Sequence, residues 1–143
     1  MKIQKASLFA LYAVLELASD PERQLSATDI ADRYGISTHH LAKVLRTLVR
    51  SRMVQAARGV GGGYRFTGVV NRTTLLDIIE LFETLESELD APSPNGQAGG
   101  PIIEELQSIA SEIDDLTRTV LDTITLETAL NSSRLRAKLQ TQE

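Results

Sequence analysis

The stretch ISTHHLAKVLRTLVRSRMVQAARGVGGGYRF, from Ile36 to Phe66, decides the fold of this chain. Apolar residues at positions i, i+3, i+4 and i+7 of a helix share one face, which is expected to point into a core. The first half of the stretch has this spacing at Leu41, Val44, Leu45 and Leu48. Ser37 precedes them and is a natural N-cap. The pattern therefore predicts a helix that begins after Ser37 and ends at about Arg52.

The opposite face of that helix carries only basic and polar side chains. No Asp or Glu occurs between Arg33 and Arg72, although the whole chain has 15 Lys+Arg against 19 Asp+Glu. A face that only contacts water would normally mix both signs, whereas cations and hydroxyls suit phosphates and base edges. We therefore expect a DNA-recognition helix. The residues expected to hold phosphates are Ser37, Arg46 and Arg50, and those expected to reach base edges are Thr38, His39, His40 and Lys43.

The second half of the stretch predicts a two-stranded wing. Segments 54–58 and 64–67 favour strands, and five residues, Gly59-Val60-Gly61-Gly62-Gly63, separate them. A loop with so few side chains lets the backbone approach DNA, and the arginine beside it is expected to enter a narrow minor groove and favour A·T-rich flanks. The wing residues assigned to DNA binding are Arg58, Gly61, Gly62, Gly63 and Tyr64. A phosphate-cradling nucleotide loop is the alternative, but it needs a following Gly-Lys-Ser/Thr and a helix.

Two shorter helices are predicted ahead of the recognition helix. Apolar steps of three and four residues indicate a first helix from Ser7 to Ala18, which a following Asp-Pro pair ends. Ser26, with Asp29 three positions later, forms an approximate capping box for a second helix from Ala27 to Tyr34. Gly35 is expected to stop this helix. Two helices joined by a turn of about four residues that contains glycine are the helix-turn-helix pattern.

The second half of the chain is predicted to be helical and acidic. Residues 1–72 contain 11 Lys+Arg and 5 Asp+Glu, whereas residues 73–143 contain 4 and 14. Thr73 or Thr74 is expected to cap a fourth helix, and the Pro- and Gly-rich stretch 87–101 is expected to be a flexible loop. The apolar residues of that fourth helix are Leu75, Ile78, Ile79 and Phe82. The contrast in charge predicts a DNA-binding region at 1–72 and a helical dimerisation and regulatory region at 73–143.

Beyond the loop, one apolar stripe indicates a dimer interface. From Ile102 the apolar residues are spaced 4, 3, 4, 3 and 4, close to the 3.5-residue period of a coiled coil. A long helix with a single stripe favours a dimer interface over burial within one monomer. The stripe, and the helix with it, continues less strictly through Leu121, Ile124, Leu126 and Leu130, and we expect the basic tail after it to fray. The residues predicted for the interface are Ile102, Leu106, Ile109, Ile113, Leu116, Val120 and Ile124.

Composition excludes several other classes of protein. With 143 residues, 42% of them hydrophobic and 24% charged, the chain can bury one core and should fold. It has no cysteine, which excludes disulfides, thiolate zinc sites and cysteine-held iron–sulfur clusters. His39 and His40 are its only histidines, and neighbours on a helix point about 100° apart, which is a poor arrangement for one metal. The sequence offers no nucleophile with a base partner, so it gives no reason to expect an enzyme.

The amino-terminal residues do not indicate a targeting segment. Basic residues precede apolar ones in MKIQKASLFALYAVLELA, but Glu16 and Asp20 interrupt the apolar run, and no small-residue cleavage pattern is present. The apolar runs stay short of the roughly 20 residues that a membrane helix needs. We therefore expect a cytoplasmic protein without a membrane partner.

Several motifs together resemble a known family. The sequence contains RG-x-x-GGY at residues 58–64, and it also carries Phe9-Ala10, Asp29-Ile30-Ala31 and Ile124-Thr125-Leu126. In these motifs the chain is similar to the Rrf2 family of bacterial winged-helix transcription regulators, over about residues 1–130. The resemblance implies a mainly α-helical winged helix-turn-helix fold with a small β wing. It also implies a symmetric dimer, crossed through a long C-terminal helix, that binds an inverted-repeat operator.

The chain departs from that family where a cofactor would lie. Many members hold an iron–sulfur cluster on three cysteines in the loop before the long helix, and here that loop, 87–101, has neither Cys nor His. Some members add a ligand on the first helix, where Leu8 and Tyr12 are unsuited to iron and Glu16 is the first carboxylate. The chain therefore resembles a cysteine-free branch without a cofactor, for which the family implies control by a small molecule or a partner protein. Ala42 stands where related members often carry Glu, so the operator need not match theirs.

These observations favour one function and leave a second open. The favoured one is a sequence-specific DNA-binding regulator, in our interpretation a repressor, that binds a near-palindromic operator on double-stranded DNA as a homodimer. The alternative is a winged-helix scaffold for protein interaction, whose basic face binds an acidic partner. Salt-dependent binding to a promoter fragment, with weaker binding to a scrambled one, separates the two.

Overall fold

The computed structural model describes residues 2–85 and 100–142, and most of the predicted flexible loop at 87–101 lies outside these residues. Within the described residues the chain is mainly α-helical with one two-stranded antiparallel sheet, which confirms the predicted fold class. The elements are α1 Lys5–Ala18, α2 Ala27–Tyr34, α3 Thr38–Arg50, β1 Val54–Ala57, β2 Gly63–Phe66, α4 Leu75–Ile79, α5 Pro101–Thr123 and α6 Leu126–Gln140.

The helix-turn-helix forms where its caps predict it. The Ser26 hydroxyl oxygen accepts from the Asp29 N–H at 3.0 Å, and the Asp29 carboxylate accepts from the Ser26 N–H at 3.2 Å, which completes the capping box. Gly35 ends α2 in the left-handed conformation, with φ of +65°, and Ser37 caps α3. The bounds of α2 are confirmed, and α3 ends two residues before the predicted Arg52.

A single hydrophobic core holds the helices together around α1. The four apolar residues of the α3 stripe are all buried, which confirms the predicted phase of that helix. Helix α1 contacts α3, α4 and α6. Ile78 and Ile79 of α4, together with Leu126 of α6, are fully buried in the same core. The helices that follow residue 72 are therefore packed on the helix-turn-helix.

The wing is anchored to the segment before α2. In the strand pair Val54 lies opposite Phe66, and both strands end one residue earlier than predicted. Leu25 adds a third strand position, because the Tyr64 N–H donates to the Leu25 carbonyl at 2.7 Å and the Leu25 N–H donates back at 3.0 Å. A Cβ on Gly63 would lie 2.6 Å from that carbonyl oxygen. Only glycine therefore lets the two segments approach.

The predicted long C-terminal helix is present as α5, but its continuation through Leu130 is wrong, because a second helix, α6, follows it. Helix α5 ends at Thr123, and Ile124 is extended, with φ of −95° and ψ of 105°. Thr125 then caps α6 by accepting from the Thr128 N–H at 3.1 Å.

Backbone hydrogen bonds from the segment before α4 stabilise the non-helical junction between α5 and α6. The Leu75 N–H donates to the Ile124 carbonyl and the Leu126 N–H donates to the Thr73 carbonyl, each at 2.9 Å. An α-helix would use those groups internally, so the pairing and a continuous helix exclude one another.

The last apolar residues of the stripe do not face outward. Leu121, Leu126 and Leu130, predicted to continue the dimer interface, are instead buried in the chain's own core. The tail that was expected to fray is helical as far as Gln140.

The fourth helix is shorter than predicted. Thr74 rather than Thr73 caps α4, in a capping box with Asp77, and the helix ends at Ile79, before Phe82. None of the helices in 2–85 and 100–142 has both the length and the apolar character needed to span a bilayer.

Candidate nucleic-acid interface

Helix α3 presents the predicted polar face to solvent. Because its apolar stripe is buried, the helix cannot rotate, and the opposite side faces outward. The structure brings the predicted residues of this helix and its cap together on one exposed surface, formed by Ser37, Thr38, His39, His40, Lys43, Arg46 and Arg50.

The first turn of α3 offers hydrogen-bond donors to an anion. The Ser37 hydroxyl oxygen accepts from the His40 N–H at 3.3 Å, so the hydroxyl proton remains available to donate. The first N–H groups of a helix have no partner within it, and the helix dipole is positive at this end. The rings of His39 and His40 lie beside these groups, with their centroids 6.2 Å apart. This geometry suits a phosphate of the DNA backbone.

The cations of this surface take no part in the ion pairs that the described residues form. Within residues 2–85 and 100–142, ion pairs join Arg23 and Arg33 to Glu16, and Arg118 to Glu80. None of these pairs involves a cation from the carboxylate-free run 34–71, where the exposed cations are Lys43, Arg46, Arg50, Arg52 and Arg58. Cations without a carboxylate partner keep their full charge for phosphates.

The wing adds a tight glycine turn beside an exposed arginine. Gly59 and Gly61 have φ of +96° and +80°, which L-residues with a side chain rarely adopt. A Cβ on Gly62 would lie 2.6 Å from the Ala57 carbonyl oxygen. Arg58 is exposed beside this turn.

The other predicted wing residues lie at the base of the hairpin. Gly63 pairs with Ala57, Tyr64 pairs with Leu25, and the half-buried Tyr64 ring packs against the core. Arg65 donates to the Gln55 side chain at 3.2 Å across the strand pair. The base of the wing is therefore rigid, and its turn and Arg58 extend from it.

Two contributors were missed from the sequence. Leu25 completes the wing base, and its position just before the cap of α2, with the apolar Ile30 at the fourth helical position, is the hydrophobic-staple pattern that could have drawn attention to it. Arg52 lies exposed between α3 and β1 with φ of +64°. The carboxylate-free run was the only signal for Arg52.

A largely buried carboxylate links α2 to α1. Glu16 of α1 accepts from the Tyr34 hydroxyl at 2.6 Å and from Arg23 at 3.1 Å, and it also pairs with Arg33. The Tyr34 ring stacks on Tyr12, with their centroids 5.0 Å apart and an interplanar angle of 9°. These contacts fix the end of α2, and therefore the turn that leads into α3.

The same contacts shift two pKa values. Burial alone would raise the pKa of Glu16, but the Tyr34 hydrogen bond and the charges of Arg33 and Arg23 outweigh burial and lower this pKa below its ordinary 4.5. Burial and the neighbouring carboxylate raise the pKa of Tyr34 to about 12. Glu16 is therefore charged and Tyr34 neutral at physiological pH.

Helix α5 carries the predicted dimer stripe on its surface. Ile102 is 77% exposed and Leu116 is 61% exposed, and a contiguous apolar surface of this kind is typical of a protein interface. Ile124 lies just after the helix and is half-buried. The other exposed apolar residues of α5 are Ile103, Leu106, Ile109, Ile113 and Val120.

The basic recognition helix, the glycine wing and the helix-turn-helix core together define a winged helix-turn-helix transcription regulator. The family model Rrf2, described as an iron-dependent transcriptional regulator, matches residues 3–132. The chain belongs to the Rrf2 family of transcriptional regulators.

Individual relatives agree with this assignment. The chain is 46% identical over 130 residues to BadM of Rhodopseudomonas palustris, which is named as an HTH-type transcriptional regulator, and the match covers 91% of this chain and 81% of BadM. Its fold is similar to that of T. potens IscR, with a TM-score of 0.74, 23% identity, and 93% and 88% of the two chains covered. CymR, described as the global cysteine regulator of B. subtilis, has a TM-score of 0.71, 28% identity, and coverage of 92% and 98%.

The family description mentions iron, but the residues of this chain do not fit a cysteine-held iron–sulfur cluster. The sequence has no cysteine, and its two histidines are neighbours on α3. Within the described residues, no three His, Cys, Asp or Glu side chains lie close enough together to hold a metal ion. Glu16, the carboxylate of α1, is already occupied by two arginines and a tyrosine.

Proposed function

We propose that this chain is a sequence-specific DNA-binding repressor that acts as a homodimer on a near-palindromic operator and works without an iron–sulfur cluster. The observation that carries the proposal is the exposed, carboxylate-free surface of α3 and the wing, whose cations have no ion pair among the described residues. Such a surface attracts the phosphate backbone strongly and releases counterions when it binds. The names of the family and of BadM, both transcriptional regulators, support the same function.

We assign two roles to the residues of α3: some position the protein on the DNA backbone, and others contact the base edges. Ser37 lies at the helix N-terminus, and Arg46 and Arg50 lie further along the exposed face, where we assign them to phosphates on the groove wall. Lys43, closer to the first turn, is assigned to guanine O6 or N7, because the first turns of a recognition helix reach the base edges. Thr38, His39 and His40 complete this reading surface.

The dimer sets the geometry of the operator. In our proposal the apolar stripe of α5 joins two copies, and the region 73–143 provides dimerisation and regulation while 1–72 binds DNA. Two recognition helices related by a two-fold axis meet major-groove faces about 34 Å apart, or a multiple of that distance. A small molecule or a partner protein is proposed to control binding.

The experiment that tests this function compares Lys43→Ala, Arg50→Ala and Arg58→Ala with the wild-type protein. Isotherms are measured at several salt concentrations, on a duplex that the wild-type protein selects from a random library and on a scrambled duplex. Arg50→Ala should weaken both about equally and reduce the salt slope by about one unit, whereas Lys43→Ala should cost about 1–3 kcal/mol mainly on the selected duplex. Arg58→Ala should lose affinity mainly where the flanks are A·T-rich.

Arg136→Ala is the matched control, because Arg136 is an exposed cation on α6, away from the proposed surface. It should leave the isotherms nearly unchanged. Wild-type behaviour of all three interface variants would show that α3 and the wing are not the DNA surface. Binding to an acidic protein in place of DNA would then favour the scaffold function.

A further inference from the structure

The tip of the wing is a defined turn rather than a loose glycine loop. The Gly62 N–H donates to the Gly59 carbonyl at 2.9 Å, which closes a four-residue β-turn with Val60 and Gly61 in its centre. Gly61, the third residue, has φ of +80°, the value that a type II turn requires at this position. The second residue, Val60, is therefore held at the apex of the hairpin.

Val60 is the most exposed large apolar residue of the described chain, with a relative accessibility of 110%. Glycines surround it, and no apolar neighbour shields it. An isolated apolar side chain on the surface is ordinary, but this one stands at the apex of a rigid turn, beside the exposed Arg58. A side chain at this apex is the part of the wing that extends furthest from its base.

The length of the hairpin suits the minor groove next to α3. Each strand has four residues, which at about 3.3 Å per residue span roughly 13 Å before the turn is added. Half a turn of B-DNA, from a major groove to the adjacent minor groove, is about 17 Å. When α3 occupies the major groove, the apex of the wing can therefore reach the floor of the neighbouring minor groove.

The chemistry of that floor distinguishes base pairs for an apolar side chain. An A·T pair presents only acceptors there, whereas a G·C pair adds the guanine 2-amino group in the middle of the groove. That amino group protrudes and needs a hydrogen-bond partner, which an isopropyl group cannot supply. A valine in contact with the floor should therefore reject G·C more than A·T.

We infer that Val60 is a specificity-determining residue, which inserts into the minor groove that flanks each half-site and selects against the guanine 2-amino group. The inference rests on the proposed function and deepens it. Arg58 would respond to the potential of the groove, whereas Val60 would read a single chemical group on the bases. The two contributions therefore separate by experiment.

The test uses Val60→Thr, which keeps the shape of the side chain and adds a hydroxyl that can partner the amino group. Its matched control is Val69→Thr, the same change at a second exposed valine, 52% accessible and outside the wing. Isotherms are measured on three versions of the selected duplex, with A·T, G·C or inosine·cytosine pairs about five base pairs outward from the centre of each half-site. Inosine lacks the 2-amino group but keeps the major-groove face of guanine.

Wild-type protein and Val69→Thr should bind the A·T and inosine duplexes about equally and the G·C duplex roughly tenfold more weakly. In Val60→Thr that ratio should fall severalfold, leaving the preference for A·T that Arg58 supplies, with the salt slope unchanged because no charge is altered. An unchanged tenfold ratio in Val60→Thr would overturn the inference. So would equal binding of all three duplexes by the wild-type protein.

Lys43→Ala, measured in parallel, keeps the two proposals apart. If it loses affinity on the selected duplex while Val60→Thr matches the wild type, the wing inference fails and the DNA-binding function stands. If the wild-type protein does not prefer the selected duplex to the scrambled one, both fail.

Discussion

Glu16 connects the first helix to the end of the second, next to the turn of the helix-turn-helix. Its side chain is only 12% exposed, and it connects α1 to Tyr34 and Arg33 at the end of α2. Gly35 follows immediately and starts the turn into α3. A side chain that never meets DNA in our proposal therefore determines where the recognition helix begins.

We predict that Glu16→Gln destabilises the fold and changes its acid sensitivity. The loss at neutral pH should be about 1–3 kcal/mol, because charge-assisted hydrogen bonds are removed while both arginines remain. The folded-state pKa of Glu16 lies below its ordinary 4.5. Its stabilisation is therefore present above pH 4.5 and is lost as pH falls through the lower, folded-state pKa. Denaturant unfolding at several pH values measures this.

Tyr34→Phe is the control for the carboxylate, because it removes one hydrogen bond and keeps the stack on Tyr12. It should cost about 1 kcal/mol and reduce the acid limb of the pH profile without abolishing it, because the charges of Arg33 and Arg23 still lower the pKa of Glu16. It should also remove an alkaline loss, because the pKa of Tyr34 is raised to about 12 in the folded protein. That contribution is complete below the ordinary value of 10.0 and disappears as pH rises through the raised value. Parallel acid limbs for Glu16→Gln and wild-type protein would contradict the role given to Glu16.

At the scale of elements, the junction between α5 and α6 separates two uses of apolar surface. Before the junction, α5 exposes its stripe, whereas Leu126 and Leu130 after it are buried in the core of the same chain. The extended residue Ile124 lets α6 fold back on α1, with Arg134 donating to the Ser19 carbonyl at 3.3 Å. The exposed part of α5 is the surface that we propose for contact with a second copy.

We predict that changing Ile113 and Leu116 together to Asp yields monomers. Two carboxylates per chain would be forced into a desolvated interface, and burying an unpaired charge is costly. Sedimentation velocity measures the outcome. The control is the double change of Leu135 and Leu139 to Asp on α6, where both leucines are also exposed, at 60% and 58%. A dimeric Ile113/Leu116 variant, or a monomeric control, would show that the stripe of α5 is not the main interface.

At the scale of the whole molecule, the uneven distribution of charge is the dominant feature. Residues 1–72 carry an excess of six positive charges and residues 73–143 an excess of ten negative ones, yet both parts contribute to one hydrophobic core. In our proposal these opposite charges orient a DNA duplex as it approaches, because residues 1–72 attract it and residues 73–143 repel it. The net charge of −4 does not by itself show this uneven distribution.

The absence of cysteine across the chain leads to a prediction about the purified protein. Protein isolated without oxygen should be colourless and free of bound iron, and its operator binding should not respond to iron chelators or nitric oxide, because no thiolates are present to hold a cluster. Absorption spectroscopy and metal analysis test the first part, and binding isotherms test the second. A visible charge-transfer band that follows the protein through purification would contradict this expectation.

Local residue patterns were sufficient to predict the helix-turn-helix and the wing. The capping box of α2, the Gly35 stop and the buried stripe of α3 each depend on residues a few positions apart, so their spacing alone specified them. The exposed basic face followed from that stripe, because a helix with one side fixed in a core must present the other. The glycines at 59–63 likewise indicated a tight hairpin.

Features that depend on distant partners appeared only in the tertiary structure. Pairing with Thr73 and Leu75 interrupts the C-terminal helix, although the apolar spacing through Leu130 favoured its continuation. Leu25 joins the wing and Glu16 meets Tyr34 only after the chain has folded back. Periodicity records which side of a helix is apolar, but hydrogen-bond partners far along the chain decide where the helix ends and what covers each apolar side.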